Sequence, residues 1–177
     1  RQIELIRQAL PRHTRISAVF GPGSAVELER TRTLLESRNL KLVSESLQGD
    51  SELFSALQRV MSGSDVFLAL PDAQVINPDT VQNLLLTSFR FRIPVVGYSA
   101  SSVRAGATLA LFSSPQQIGQ QAGEVARQLL RSGILPAPQY PRYFSVQTNR
   151  HMANSLNLGI DDDASLKERL QRQERDG

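Results

Sequence analysis

The sequence predicts an α/β fold of three layers, in which helices cover both faces of a mostly parallel sheet. Two observations carry that expectation. Five short runs of β-branched and apolar residues follow one another, separated by stretches with helical spacing, which is the pattern of consecutive βα units. The runs are apolar at four to six successive positions without strict alternation, as strands buried on both faces are.

The elements follow in order. The first strand is 15–20 (RISAVF), running into Gly21-Pro22-Gly23-Ser24, where two glycines allow a tight turn and Ser24 is placed to cap the next helix. The second is 40–44 (LKLVS), and Leu53, Leu57 and Val60 then form one face of a helix. The third, 66–70 (VFLAL), leads to Pro71-Asp72-Ala73. Asn77-Pro78-Asp79 then supplies an N-cap, a proline at the first helical position and an acid near the dipole's positive end. That helix carries the stripe Val81, Leu84, Leu85 and Ser88. The fourth strand is 94–98 (PVVGY) and the fifth 107–112 (ATLALF).

Ser114-Pro115-Gln116-Gln117 reads as a capping box, and Gly133 as a left-handed stop before Pro136 and Pro138. Within that helix Gly119 and Gly123 each cost about 1 kcal/mol relative to alanine, so close approach of another backbone is expected there. Its stripe Ile118, Ala122, Val125 and Leu129 needs an apolar cover. A last strand at 143–146 and a short helix at 152–156 follow. Residues 164–177 (ASLKERLQRQERDG) are highly charged, with only Leu166 and Leu170 on one side, and read as a solvated or frayed tail. The whole is a Rossmann-like alternation.

Composition excludes several classes. The formal charge of +3 comes from arginines scattered through the chain, among them Arg30, Arg38, Arg90, Arg92, Arg127 and Arg131, with no basic block. Tryptophan is absent and aromatics are 6% of residues, so no stacking platform for nucleic acid is expected. The absence of cysteine removes disulfides, thiolate catalysis and cysteine-type zinc sites, and no cofactor is expected. No apolar run approaches the roughly 20 residues of a helical membrane span. Arg1 in place of methionine leads us to expect chain upstream, a leader or a whole domain.

In an open parallel sheet, ligands bind beyond the carboxyl ends of the strands, where helix N-termini present free N–H groups. Four loops qualify: Gly21 to Ser24, Pro71 to Ala73, Ser99 to Ser102, and Ser113-Ser114. The glycine loop suits an anionic group, although it equally reads as a plain turn. A dinucleotide fingerprint fails, because Val26 stands where a third glycine belongs. Ser99, Ser101 and Ser102, with Ala100 among them, offer hydroxyls and N–H donors to a carboxylate. Asp72 offers the opposite charge, and Tyr98 an aromatic face, so the set suits a zwitterion such as an amino acid. The same serines and aspartate also read as N-caps.

Gly97-Tyr98-Ser99-Ala100-Ser101 comes within one residue of the nucleophile elbow of α/β-hydrolases, making Ser99 a candidate nucleophile. The later partners are wrong: His151 precedes Asp161, Asp162 and Asp163, whereas that fold needs the acid first. A phosphoacceptor domain would need magnesium-binding acids after the first strand, where Val19-Phe20-Gly21 stands.

The segments Arg15 to Phe20, Asp65 to Asp72, Arg92 to Ser99 and Val103 to Ala107, with the helix Gln117 to Leu130, Gly133-Ile134-Leu135-Pro136 and Val146 to Ile160, resemble the ABC-transporter substrate-binding family of the type 1 periplasmic-binding fold. Some members of that family bind aromatic amino acids. The resemblance matches the carboxy-terminal half alone. It implies a flavodoxin-like strand order 2-1-3-4-5 and one α/β lobe over 1–160, with 161–177 as the charged tail. It also implies that 105–133 crosses back to a missing first lobe. By the same resemblance, a small-molecule ligand sits in the cleft between lobes, against Gly21 to Ser24, Asp72 and Tyr98 to Ser102. The implied partner is a membrane permease, and the implied setting is the periplasm or a lipid anchor at the outer face of the cytoplasmic membrane. No bond is made or broken. Competing expectations are a serine hydrolase at Ser99 and a sensory or interaction domain whose 115–131 helix forms a homodimer.

Overall fold

Strands β1 (Arg15–Phe20), β2 (Lys41–Ser46), β3 (Val66–Leu68), β4 (Val95–Gly97), β5 (Leu109–Phe112) and β6 (Ser145–Thr148) form one sheet in the order β2-β1-β3-β4-β5-β6. The computed structural model describes residues 1–47 and 52–176. Pairing is parallel from β2 through β5, and β6 closes the far edge antiparallel to β5. The expected order 2-1-3-4-5 is the observed one, with the last strand added beside β5.

Alternation along each strand explains why the runs lack a polar face. On β1, Ile16, Ala18 and Phe20 enter one apolar cluster while Val19 enters the other. On β3, Val66 and Leu68 face the first, and Phe67 and the following Ala69 the second. Successive side chains point to opposite faces, and both faces are covered. One layer contains α1 (Gln2–Ala9), α2 (Leu28–Glu36) and α8 (Asp163–Asp176), through Leu5, Ile6, Leu35, Leu166 and Leu170. The other contains α3 (Leu53–Ser62) and α4 (Val81–Arg90), through Leu57, Val60, Met61 and Leu84.

The helix boundaries follow the chemistry of their caps. Ser114 and Gln117 form the reciprocal capping box of α6 (Pro115–Ser132), and Gly133 ends it in the left-handed region at φ 68°. Asn77 Oδ1 accepts from the N–H groups of Asp79 and Thr80 at 2.9 and 3.0 Å. The regular helix α4 nevertheless begins one turn later, at Val81.

Several expectations change. The stretch expected to be a frayed tail is the ordered helix α8, with Leu166 at 0% and Leu170 at 2% exposure against α1. Two leucines four residues apart share one helix face, and that face suffices to dock it; Gly177 lies outside the described residues. The last strand lies two residues later than expected, because Ser113 Oγ donates to Tyr143 O at 2.7 Å and holds that carbonyl outside the ladder. Nothing lies within 4 Å of a Cβ built on Gly119, and only the Arg127 guanidinium approaches one on Gly123. The backbone contact expected at these glycines is therefore absent among the described residues, and α6 has no buried residue.

Candidate functional site

The carboxyl ends of β1, β3 and β4 are neighbours in the sheet, so their loops share one edge. The first two interlock. Ser24 Oγ donates to Asp72 Oδ2 at 2.7 Å, and Gln74 N–H donates to Asp72 Oδ1 at 3.0 Å. Gly21 N–H donates to Ser24 Oγ at 3.2 Å. A Cβ on Gly21 would stand 2.7 Å from both carboxylate oxygens, and one on Gly23 would stand 3.3 Å from Oδ2. These glycines are what let the backbone fold against the carboxylate. The anion cradled by this turn is the chain's own Asp72.

Two consequences follow for the predicted residues. Ser24 precedes a 3-10 turn, Ala25–Glu27, without capping it through its side chain: its hydroxyl donates to Asp72 and its oxygen accepts from Gly21 N–H behind it instead of from the turn ahead. Asp72 is 3% exposed. Burial pushes its pKa up, but hydrogen bonds from Ser24 and from the N–H groups of Gln74 and Val75 outweigh this and hold it below the ordinary carboxylate value. Pro22 and Gly23 remain exposed at the tip of the loop.

At the end of β4 the serines organise α5 (Ala100–Ala105). Ser99 is extended, and its Oγ accepts from Ser102 N–H at 3.1 Å and pairs with Ser101 Oγ at 2.9 Å. Ser102 Oγ donates to Ser99 O at 2.6 Å. Gly97 makes this turn feasible: a Cβ there would overlap Ser102 Oγ and lie 2.8 Å from Ser102 Cβ. The capping reading and the mouth-of-a-site reading thus coincide.

Behind these serines lies a cavity of about 420 Å³ between α4 and α5. Ala69, Val95 and Ala107 line it from the sheet, and Ile76, Val81, Leu84 and Leu85 from the loop and helix after β3. Tyr98, Ser99, Ser101 and Ser102 line it from the β4–α5 turn, with Asn77 and Pro78 from the segment leading into α4. Asn77 is fixed by its own turn, its Nδ2 donating to Ala73 O at 2.8 Å. No Asp, Glu, Lys, Arg or His is among the lining residues, so the space receives uncharged groups at little desolvation cost.

The sequence-predicted residues therefore fall into two adjoining groups. Gly21, Pro22, Gly23, Ser24 and Asp72 make the interlocked loops, while Tyr98, Ser99, Ser101 and Ser102 line the cavity; Ala100 opens α5 without lining it. Val81, Leu84 and Leu85 were legible as a helical stripe but not as a cavity wall. The available signal was the small side chains opposite them, Ala69, Ala105 and Ala107, too small to fill the space between a strand end and two helices. Neither histidine lines this cavity: His151 belongs to an adjoining groove that shares Val81, Leu85 and Ala105 with it, and His13 to the opposite end of the sheet. Ser99 has no imidazole base beside it.

A family model described as ABC transporter substrate binding protein matches residues 1–165. A conserved domain protein from Vibrio cholerae has a similar structure, with TM-score 0.71 and 27% identity over 94% of this chain and 57% of its own. The ABC domain in complex with L-Trp from Streptococcus pneumonia has TM-score 0.70 and 18% identity over 94% of this chain and 57% of its own. A ligand-free, open substrate binding protein with adhesive properties from Clostridium difficile has TM-score 0.75 and 15% identity, covering 92% of this chain and 56% of its own. An uncharacterized protein of Rickettsia prowazekii is 26% identical over 129 residues, 72% of this chain and 42% of that protein. The chain thus spans little more than half the length of these solved structures.

Proposed function

The chain belongs to the ABC transporter substrate-binding protein family, and from that premise we propose that it is the solute-holding lobe of such a protein, binding a small ligand at the carboxyl edge of its sheet. One observation carries this reading: the cavity beside Tyr98, Ser99 and Ser101 has an apolar lining, hydroxyls at its mouth and no charged side chain. A ligand with an uncharged, largely apolar portion fits there, its polar end meeting Ser99 and Ser101. An amino acid with an aromatic side chain has that shape, and the structurally similar streptococcal domain is in complex with L-Trp.

The roles divide accordingly. Tyr98 and the serines contact the ligand directly. The interlocked Gly21 to Ser24 and Asp72 loops set the shape of the adjoining rim, which Pro22 and Gly23 present to the opposite lobe. The unburied face of α6 packs on that lobe, so the expected crossing segment 105–133 narrows to α6 and the residues after it, because Leu109–Phe112 is β5 of this lobe's own sheet. Closure of the two lobes over the ligand is then read by a membrane permease, outside the cytoplasm. On this reading the ligand is held and released unchanged, which the family's description as substrate binding proteins supports.

Titrating L-tryptophan into the labelled chain while recording amide NMR shifts tests the proposal. Saturable shifts clustered at Val81, Tyr98, Ser99 and Ser101, weakened at least about tenfold by Ala105→Leu, which narrows the cavity, are the expected result. Shifts elsewhere, or an Ala105→Leu response equal to that of the parent chain, overturn the assignment of the cavity.

A further inference from the structure

The corner where α4 ends carries Phe89-Arg90-Phe91-Arg92, whose four side chains are all exposed. Phe89 and Leu86 are each 49% exposed and Phe91 39%. A shallow groove of about 530 Å³ runs beside them, between α4, the Ala105-Gly106 turn and α7 (Arg150–Ser155), with Leu85 and Met152 in it. Arg104 and His151 are exposed on the flanking helices. Helices α4, α5 and α7 contain no Asp or Glu. Arg150 pairs with Asp163, whereas Arg90, Arg92 and Arg104 enter no ion pair among the described residues.

We infer that this corner is a docking surface for an anionic lipid bilayer. Guanidinium forks pair with lipid phosphates, while phenylalanine rings seat at the boundary between headgroups and acyl chains. Aromatic rings alternating with arginines, on helices that carry no acid of their own and with Asp163 paired to Arg150, supply both interactions, and the chain's net charge of +3 favours approach to such a surface. Three exposed apolar side chains are too few for the roughly 800 Å² per partner of a stable protein interface, whereas shallow insertion needs only a few rings. The corner lies towards the amino ends of the parallel strands, because α4 descends from the carboxyl edge into β4. Docking there turns the ligand cavity away from the lipid and leaves it open to solutes. This inference stands independently of the ligand reading.

Sedimentation of the chain with vesicles of phosphatidylcholine alone, or with about one third phosphatidylglycerol, tests it. Binding is expected to the anionic vesicles only and to fall steeply with salt. Phe89→Ser/Phe91→Ser and Arg90→Gln/Arg92→Gln should each reduce it roughly tenfold or more, with circular dichroism unchanged because all four side chains are exposed. Arg127→Gln/Arg131→Gln on α6 removes the same charge and should leave most binding intact. Absence of vesicle binding, equal loss in the α6 variant, or amide NMR shifts at Arg90 and Arg92 with inorganic phosphate in place of vesicles would each overturn the proposal. So would capture of a synthetic Glu/Leu amphipathic peptide without vesicle binding, which assigns the face to a protein partner.

Discussion

Ser24 donates its hydroxyl to Asp72 at 2.7 Å, joining the loops after two adjacent strands through a carboxylate that is almost wholly buried. Ser24→Ala leaves that carboxylate short of a donor, and a buried charged acceptor missing a bond costs about 1–3 kcal/mol. Urea denaturation of the variant should show the loss as a lower midpoint with unchanged slope. Gly21→Ala should be at least as damaging, because its Cβ would press against both carboxylate oxygens.

The same carboxylate makes the fold sensitive to acid. Asp72 has its pKa lowered from the ordinary 3.8: burial opposes ionisation, but the bonds from Ser24, Gln74 and Val75 outweigh it. Asp65 is lowered as well, with burial again opposed, there by the guanidinium of Arg15 and the N–H groups of Arg15 and Thr14. The unfolded chain therefore takes up protons before the native one does as the pH falls, so the native state loses stability on that side. The contribution is complete above about pH 4 and is withdrawn as the pH drops through the folded values. Thermal melts from about pH 6 to about pH 2 should show a steep acid limb, flatter in Asp72→Asn, and the two curves should converge at the lowest pH.

Gly97→Ala tests how tightly the serine turn is built. The added methyl would overlap Ser102 Oγ and stand 2.8 Å from Ser102 Cβ, so a retreat of the hydroxyl would give up its bond to Ser99 O and still leave the Cβ contact too short. We expect a loss of about 1–3 kcal/mol from overpacking, with amide shifts concentrated over residues 97–103. Combining Gly97→Ala with Ser102→Ala should recover part of the loss, which a denaturation midpoint for the double variant measures directly.

The sheet was legible because its strands are buried on both faces, and an apolar run such as Ile16 to Phe20 needs no tertiary information to be recognised. Capping residues were legible for a similar reason: Ser114 with Gln117, and Gly133, act within one turn of chain. The cavity was not, since it arises where Ala69, Ala105 and Ala107 from three elements meet the Val81 face of α4, and no local pattern encodes a space between elements. The pairing of Asp72 with Ser24, 48 residues apart in the chain, was likewise invisible, and so two residues predicted to meet solute are engaged with each other. Helix α1 was missed altogether, as its buried Leu5 and Ile6 give too short a stripe to stand out.

The carboxy-terminal helix shows how little sequence signal a docked element needs. Only Leu166 and Leu170 of α8 are large apolar side chains, yet both are buried in the cluster that contains Leu5 and Ile6 of α1, and Arg1 and Arg38 add ion pairs to Glu174 and Glu4 along that side. Of these, only the pair with Glu174 reaches α8, and it is exposed, so side-chain ordering and solvent screening offset most of its attraction and the two leucines dominate. Leu166→Ala and Leu170→Ala should each cost about 2–5 kcal/mol, and the double variant less than the sum, because the two side chains share one cavity. Hydrogen exchange separates this from a frayed helix. Amides of 165–172 should be protected in the parent chain nearly as well as those of β1, and that protection should vanish in the double variant. Rapid exchange of α8 in the parent chain would mean that the leucines do not hold it, and the charged residues alone would not suffice to do so.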